Sequence, residues 1–500
     1  MINYAKRDWL IAGLVSLIVL IIGAFSLTTG TPWGDDQAAY ISEGIAIAEG
    51  RLQEQSSVNY QYHPSDLPDE AGEGRLVYVW GYPLILSAVY RIVGFDQVDF
   101  TSVLWYKIPL LLCFSLSGGV LTLFLRRRFS IYTAAGASLV FCMSGDLIDA
   151  VNTLYSDIPF LFFCLLTLWL MECFSDAAVT GKRSAWIGLI YAVSLWMTYE
   201  TRLSGWTVCL AALVGHTILM CREKSKIGKG SVLIQLFPYL LLGILIMISE
   251  HLWLEPATQN LSDINKNADS NQIRYYFDQI FDYLDTLPRL PFSCLGYVFL
   301  LFCAIGIIAN GFRGNLHLTI LLVGTFVVNI SLPYTNGLRY LYNILPIMIM
   351  YNLYGFQLFW KLADKAIWTK GDAQRLIITI ASLGVLFFSI ANQVYRAGNN
   401  VTHWNNSYSY DAFSKAAKEM YRYIQKNTSE ESVVAFSKPR MLYLTTNRQS
   451  FKIGVNGHDL SEADYYLKNR AIDFEVQTVD TTGMDVVFEN EYLTLYKTGY

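Results

Sequence analysis

Long apolar stretches separated by short charged segments constrain this chain more than any other feature. Hydrophobic residues make up 53% of its 500 residues and charged residues only 16%, whereas a soluble protein carries about 25% charged residues. A stretch of about 20 apolar residues is long enough to cross the hydrocarbon core of a bilayer as a helix. The sequence therefore predicts a polytopic α-helical protein of the cell membrane.

Basic clusters between the apolar stretches set the expected orientation. Lys6 and Arg7 precede the first stretch, residues 9–27, and residues 126–128 are three consecutive arginines that end the second. Because cytoplasmic loops are enriched in Lys and Arg, we expect the N-terminus and every basic cluster on the cytoplasmic side. Residues 1–395 fit about eleven spans under this rule. The remaining residues, 396–500, are then expected outside the cytoplasm.

Residues 28–102 form the first expected external loop, which is acidic. Asp35 and Asp36 follow a Pro-Trp-Gly turn at the start of a helical pattern, where a carboxylate can cap the first backbone N–H groups. Residues 77–93 are apolar but interrupted by Gly81-Tyr82-Pro83. If they crossed the bilayer, the later basic loops would fall on the wrong side. We therefore expect an interfacial helix on the outer surface.

Unusual polar residues fall at the same expected outer face. Besides the acid pair they are Asp157, Glu200, Arg202, Glu250, His251, Arg339 and Tyr340. Ionisable groups at a membrane boundary are costly to desolvate and are often functional. Each alone could also be a solvated charge at a helix end, and Asp157 could be a helix cap before Pro159. Their occurrence together on one face favours a functional site.

The second long external loop, residues 251–290, is rich in aromatic residues. Tyr275, Tyr276, Phe277, Phe281 and Tyr283 lie within it. Loops of this length are often lids or binding loops. The same residues also fit an amphipathic helix lying on the membrane surface. Both interpretations stay open from the sequence.

The C-terminal residues change character and predict a small α/β domain. Residues 411–425 have helical periodicity with Asp411 as the expected cap, and residues 460–469 also resemble a helix. Strands are expected at residues 432–436, 474–479 and 492–496. None of the eight cysteines has the paired spacing of a zinc site, and the sequence has no P-loop or Rossmann glycine pattern.

Four motifs in a fixed order give residues 1–395 a resemblance to a known family. They are Gly34-Asp35-Asp36-Gln37-Ala38-Ala39-Tyr40, Tyr82-Pro83-Leu84, Tyr155-Ser156-Asp157-Ile158-Pro159 and Arg339-Tyr340-Leu341-Tyr342-Asn343-Ile344-Leu345-Pro346. The set resembles the GT-C glycosyltransferases, and more narrowly the bacterial and archaeal relatives of the protein O-mannosyltransferases and lipid A aminoarabinose transferases (glycosyltransferase family 39). The basic residue often found before the interfacial prolines is absent.

The resemblance implies a GT-C transmembrane enzyme that moves a hexosyl or pentosyl group from a polyprenyl-phosphate donor to an acceptor hydroxyl, with inversion. Membrane lipids and an acceptor glycan, lipid or protein are the expected partners, and nucleic acid is not. The expected catalytic residues are Asp35, Asp36 and Asp157. The expected substrate-binding residues are Tyr40, Tyr82, Glu200, Arg202, Arg339 and Tyr340.

The family match assigns Asp35 as the base that takes the acceptor proton. Arg339, helped by Arg202, would stabilise the departing phosphate, because a guanidinium is permanently charged and can hold two oxygens. Asp36 and Asp157 would orient the acceptor or hold a divalent cation such as Mg²⁺, Mn²⁺ or Ca²⁺. The sequence leaves metal dependence open.

Two other classes of protein fit part of the pattern. A transporter or flippase for a lipid-linked sugar would also have many spans and polar groups in a cavity. Transporters, however, tend to carry inverted repeats and charges near the bilayer midplane, whereas these charges lie at one face. The second of these classes is a non-catalytic scaffold with a soluble sensing domain.

Overall fold

The computed structural model describes most of the chain. The described residues are 4–51, 79–96, 103–180, 184–222, 231–249, 270–284, 293–312, 314–331, 337–367, 410–454, 459–472 and 479–499.

Up to residue 367, all regular secondary structure in the described part of the chain is helical. Its α-helices are α1 (Lys6–Phe25), α2 (Asp35–Glu49), α3 (Gly81–Val93), α4 (Val103–Arg126), α5 (Ile131–Cys142), α6 (Gly145–Asn152), α7 (Asp157–Thr180), α8 (Ser184–Thr201), α9 (Gly205–Arg222), α10 (Ser231–Ile248), α11 (Ser270–Leu284), α12 (Ser293–Gly306), α13 (Leu316–Ile330) and α14 (Leu345–Ile367). A π-helical turn, Ile307–Gly311, continues α12, and a short 3-10 helix, Leu338–Leu341, precedes α14.

Several of these helices have the length and apolar composition needed to cross a membrane. In the described part of the chain, α1, α4, α7 as far as Asp176 and α9 do so, and α5 with α6 makes a fifth candidate that bends by 58°. The expectation of a multi-pass membrane protein is thus confirmed. The number of eleven spans stays a prediction, because the last predicted span, residues 376–394, lies outside the described residues.

Ion pairs join one end of each of three helices. Arg126 Nε at the end of α4 lies 3.2 Å from Asp8 Oδ1 in the first turn of α1. Arg127 Nε lies 2.7 Å from Glu172 Oε2, which is near the end of α7. The start of α1 and the ends of α4 and α7 therefore meet. It follows that the residues after α1 and those before α4 and α7 lie together at the opposite end of these helices.

Helices α2 and α3 pack together at this opposite end. A Cβ at Gly44 would lie 3.0 Å from Leu86 Cβ, so glycine there allows the close approach of α3 to α2. A Cβ at Gly81 would lie 2.7 Å from the carbonyl oxygen of Glu200, which brings the start of α3 against the end of α8. The helix expected within residues 77–93 is confirmed over 13 residues. Its position on a membrane surface stays a prediction.

The C-terminal domain is a small α/β structure, as expected. Its elements are α15 (Lys415–Asn427), β1 (Val433–Phe436), α16 (Pro439–Thr446), β2 (Gln449–Phe451), a 3-10 helix (Leu460–Glu462), β3 (Tyr465–Asn469), β4 (Asp485–Glu489) and β5 (Leu493–Lys497). The sheet has the strand order β2-β1-β3-β5-β4, in which β1 is parallel to β2 and β3, and β5 is antiparallel to β3 and β4.

Two local expectations for this domain are wrong. Residues 465–469 are not helical but form β3, because pairing with β1 on one side and β5 on the other outweighs local propensity. Asp411 does not cap a helix: α15 is capped by Ser414, and Asp411 Oδ1 accepts from Phe413 N at 2.7 Å. The strands expected near β1 and β5 are confirmed. The one expected at 474–479 lies almost wholly outside the described residues.

The segment between α1 and α2 is held from the helical side by a buried lysine. Lys107 Nζ, in the first turns of α4, donates to the carbonyl oxygen of Thr28 at 2.9 Å and also to that of Gly30. Asn152 Oδ1 at the end of α6 accepts from Thr28 N at 2.9 Å. These contacts fix the path of the chain just before the acid pair.

The C-terminal domain packs against the same segment from the other side. Trp33 Nε1 donates to the carbonyl oxygen of Tyr410 at 2.6 Å, and the Trp33 ring meets Phe436 edge-on at 5.5 Å. A Cβ at Gly30 would overlap the Asp411 carboxylate, and burial there raises the pKa of Asp411 to about 6. The two domains therefore share one packed core around the segment that leads to α2.

Candidate active site

The residues that sequence analysis singled out converge from four segments. Asp36 lies in the first turn of α2, Asp157 begins α7, Arg202 follows α8, and Arg339 lies in the 3-10 helix before α14. A tight turn was expected at residues 199–202, but α8 continues through Thr201. Arg202 is thus the first residue after a helix, and the end of that helix fixes the position of its backbone.

Each arginine is paired with a carboxylate. Arg202 Nη1 forms an ion pair with Asp157 Oδ1, and both side chains are largely buried. Arg339 Nη2 lies 3.8 Å from Asp36 Oδ2, and this second pair is more exposed. Burial opposes the charge of Arg339, but Asp157 and Tyr340 outweigh it and raise the pKa above its usual value. Both guanidinium groups are therefore permanently cationic.

Aromatic rings hold the same two arginines. The Arg202 guanidinium lies 4.2 Å from the centroid of the Tyr340 ring, and that of Arg339 lies 5.3 Å from it. Arg339 also lies 4.6 Å from the Tyr155 ring. Such cation–π contacts add to the attraction of the carboxylates. The two cations are thus held close to one another before any ligand binds, although their like charges repel.

Buried tyrosines support the cluster from one side. Tyr40, one turn after Asp36, places its hydroxyl 3.1 Å from Ser156 Oγ. Its ring meets Tyr82 edge-on at 5.0 Å. The Tyr82 hydroxyl is fully buried and has no hydrogen-bond partner within the described part of the chain. Burial raises the pKa of Tyr40 above its usual value, so this group acts as a hydroxyl rather than as a base.

Two predicted residues face other parts of the structure. Asp35 Oδ1 accepts hydrogen bonds from Arg440 N at 2.9 Å and Met441 N at 3.3 Å, in the first turn of α16. Glu200 is buried in the last turn of α8, where its Oε1 accepts from Ser249 Oγ at 2.5 Å. The structure therefore brings Asp36, Asp157, Arg202, Arg339, Tyr340 and Tyr40 together. Asp35 lies at the edge of this group against the C-terminal domain.

Two supporting contacts were not predicted from the sequence. Gln279 Oε1, in α11, accepts from Leu338 N at 3.1 Å, immediately before Arg339. Gly337 has φ +72°, a conformation that favours glycine at the entry to this turn. Lys438, just before α16, interacts electrostatically with both Asp35 and Asp36. A Gly at 337 and a Lys-Pro pair at 438–439 were the available local signals, but neither specifies a distant partner.

A divalent cation at Asp36 and Asp157 stays a prediction. Each of these carboxylates faces a guanidinium, which competes with a metal ion for the same oxygens. Over the described ranges, no three His, Cys, Asp or Glu side chains are grouped to hold an ion. Glu250 and His251 lie outside those ranges.

Comparison with solved structures identifies the fold. The ArnT structure from Cupriavidus metallidurans bound to undecaprenyl phosphate is 13% identical, with a TM-score of 0.59 and coverage of 98% of each chain. The oligosaccharyltransferase AglB from Archaeoglobus fulgidus, in complex with an inhibitory peptide and a dolichol-phosphate, is 11% identical, with a TM-score of 0.52. That match covers 93% of this chain and 70% of the other.

The chain thus has the fold of the GT-C glycosyltransferases, which confirms the fold expected from its motifs. Within this fold class it is similar over its whole length to ArnT, including the C-terminal domain. Neither a protein-family model nor a curated protein sequence matches it.

Proposed function

We propose that this protein is a membrane glycosyltransferase that moves a sugar from a polyprenyl-phosphate donor to an acceptor hydroxyl. The observation that carries the proposal is the pair of arginines held together beside Asp157 and Tyr340. Two adjacent fixed cations at a helix end suit a phosphate group whose lipid chain stays in the bilayer. The ArnT and AglB structures contain a lipid phosphate, which supports this donor class.

In the proposed reaction, the acceptor oxygen forms a bond to the anomeric carbon as the bond from that carbon to the phosphate oxygen breaks. The bonding electron pair goes to the phosphate oxygen, so negative charge grows on the phosphate. Arg202 and Arg339 stabilise this charge. Because both guanidinium groups are already held in place, no free energy is needed to reorganise them during the reaction. A single displacement of this kind inverts the anomeric centre.

The acceptor hydroxyl must lose its proton as it attacks. Asp35 remains our proposed base, because an ionised carboxylate within reach can take that proton in the transition state. Asp36 is instead the ion-pair partner of Arg339, and we assign it the role of orienting that guanidinium. The proposal leaves the transferred group as a hexosyl or pentosyl unit and the acceptor as a glycan, lipid or protein.

The test is sugar transfer by the purified full-length protein in proteoliposomes. Polyprenyl-phosphate donors with radiolabelled hexoses or pentoses would be supplied, together with a cell-envelope extract as the source of acceptors. Labelled product and released polyprenyl phosphate are expected in equal amounts. Asp157→Asn, which weakens the Arg202 pair, serves as the impaired control. Movement of donor across the bilayer without any transfer would instead identify a flippase and contradict the proposal.

Gln279→Leu is expected to lower kcat roughly tenfold, as loss of a hydrogen bond that orders a catalytic group commonly does. The variant keeps the side-chain volume but removes the acceptor for Leu338 N, so the turn that carries Arg339 is less well fixed. Gln279→Glu keeps an acceptor oxygen and is the matched control, with activity close to wild type. Equal kcat values for the Leu and Glu variants would show that this contact does not position Arg339.

A further inference from the structure

The first turn of α16 lies directly against the acid pair. Pro439 is the first residue of this helix and has no N–H group, so the next two backbone amides, those of Arg440 and Met441, are the first available donors. Amides in the first turn of a helix have no partners within the helix. Both donate to the same oxygen, Oδ1 of Asp35. The carboxylate of Asp35 therefore accepts the hydrogen bonds of a helix N-terminus that lies more than 400 residues later in the chain.

Positive charge from the same domain adds to these amides. Lys438 is partly buried, and although burial lowers its pKa, the attraction of Asp35 and Asp36 opposes that effect. Lys452, which follows β2, lies close enough to Lys438 to repel it. Lys438 therefore brings positive charge to both Asp35 and Asp36, and Lys452 at the end of the neighbouring strand lies near it.

Helix α16 is held in this place by contacts of the C-terminal domain with the segment just before the acid pair. Trp33, two residues before Asp35, bonds to Tyr410 and packs on Phe436 at the end of β1. Ala412 N also donates to the carbonyl oxygen of Thr31 at 3.4 Å. Because β1 leads directly into α16, these contacts set the position of the helix relative to α2. The Asp35 contact is therefore part of a continuous domain interface.

We propose that α16 is a positioning element of the active site, whose first amides and Lys438 hold Asp35 in place and in its ionised form. The inference rests on the proposed function. Hydrogen bonds donated to a carboxylate favour its charged state, and so does the positive end of a helix. An ionised Asp35 is the form that can accept a proton from the acceptor hydroxyl. The C-terminal domain is then required for the chemical step, whichever acceptor is used.

The test removes one amide without removing the helix. Arg440→Pro eliminates the N–H that donates to Asp35, at a first-turn position where proline is compatible with a helix. Arg440→Ala removes the same side chain but keeps the amide and is the matched control. Arg440→Pro is expected to lower kcat roughly tenfold, the size of effect typical of one hydrogen bond to a charged group, with an unchanged KM for the donor. The rate of Arg440→Pro is therefore compared with that of Arg440→Ala, since only the Pro variant lacks the amide.

The pH profile separates positioning from simple packing. With one amide gone, Asp35 is harder to ionise, so the acid limb of kcat/KM should move to higher pH. Lys438→Gln, which keeps both amides but removes the charge, should move it in the same direction. If Arg440→Pro and Lys438→Gln leave the acid limb where it is in the wild type, the proposal is overturned, even if the activity of either variant falls.

A stability cycle tests the contact without any assay of activity. Thermal unfolding of the full-length protein in detergent would be compared for wild type, Asp35→Ala, Arg440→Pro and the double variant. The two substitutions should be non-additive, because each removes the same hydrogen bond. Additive shifts would overturn the inference while leaving the proposed transferase activity standing. If the shifts are non-additive but the wild-type protein transfers no sugar, the contact is real and the proposed function is overturned, and with it the catalytic role given to α16.

Discussion

Replacing Arg339 with Met is expected to lower the rate of sugar transfer by roughly 10²–10³-fold, the usual cost of removing a preorganised group that stabilises charge in the transition state. Arg339 lies 3.8 Å from Asp36 and 4.6 Å from the Tyr155 ring, so its guanidinium is fixed where charge is expected to grow. Met keeps the unbranched apolar stem but removes the charge and the hydrogen-bond donors of the guanidinium. Single-turnover rates measure the chemical step directly.

Two further variants show which property of Arg339 matters. Arg339→Lys keeps a positive charge but not the planar fork, and we expect it to recover only part of the lost rate. Tyr155→Phe keeps the ring under the guanidinium, so its rate should be close to wild type. If Arg339→Met transfers sugar at the wild-type rate, the phosphate is stabilised elsewhere and the central part of the proposed mechanism is wrong.

Replacing Asp35 with Asn is expected to lower kcat by roughly 10²–10⁴-fold, the range for loss of a general base. Asn retains a side-chain oxygen that can accept from the amides of Arg440 and Met441, so the domain interface should be preserved. The acid limb of the pH profile should disappear with the carboxylate. Kinetics across pH, with thermal unfolding to confirm folding, check both expectations.

Asp36→Asn is the matched comparison for Asp35. It leaves the neighbouring carboxylate in place but weakens the pair with Arg339, so we expect a smaller loss, roughly tenfold. The opposite order of effects, with Asp36→Asn nearly inactive and Asp35→Asn active, would move the base to Asp36. In that case Asp35 would serve only to dock the C-terminal domain.

The membrane class and the outline of the site could be predicted from the sequence because both depend on signals that are local or ordered along the chain. Apolar stretches and basic clusters are local patterns. The order of the motifs placed Asp157 and Arg339 at the same expected face as the acid pair, and the structure brings both to Asp36 and Arg202. The choice of partners, Asp157 with Arg202 and Asp36 with Arg339, required the packing of four separate segments.

Other features could not be predicted for identifiable physical reasons. β3 has a sequence that also fits a helix, and only its two neighbouring strands decide between them. The hydrogen bond from Leu338 N to Gln279 Oε1 joins residues 59 positions apart, so no local pattern indicates it. The contact between Asp35 and α16 joins residues 405 positions apart. A sequence pattern can indicate where a helix begins and hence which backbone amides lack a partner within it, but not which distant carboxylate will accept from them.

The bond between Asp35 and the start of α16 also has a consequence for biosynthesis. The motif emerges from the ribosome 405 residues before the first of the amides that bind it. A partly synthesised chain therefore carries the acidic motif without its partner in α16. Only a chain in which α16 has been made and docked against α2 possesses the finished arrangement, so a product truncated before α16 would lack it.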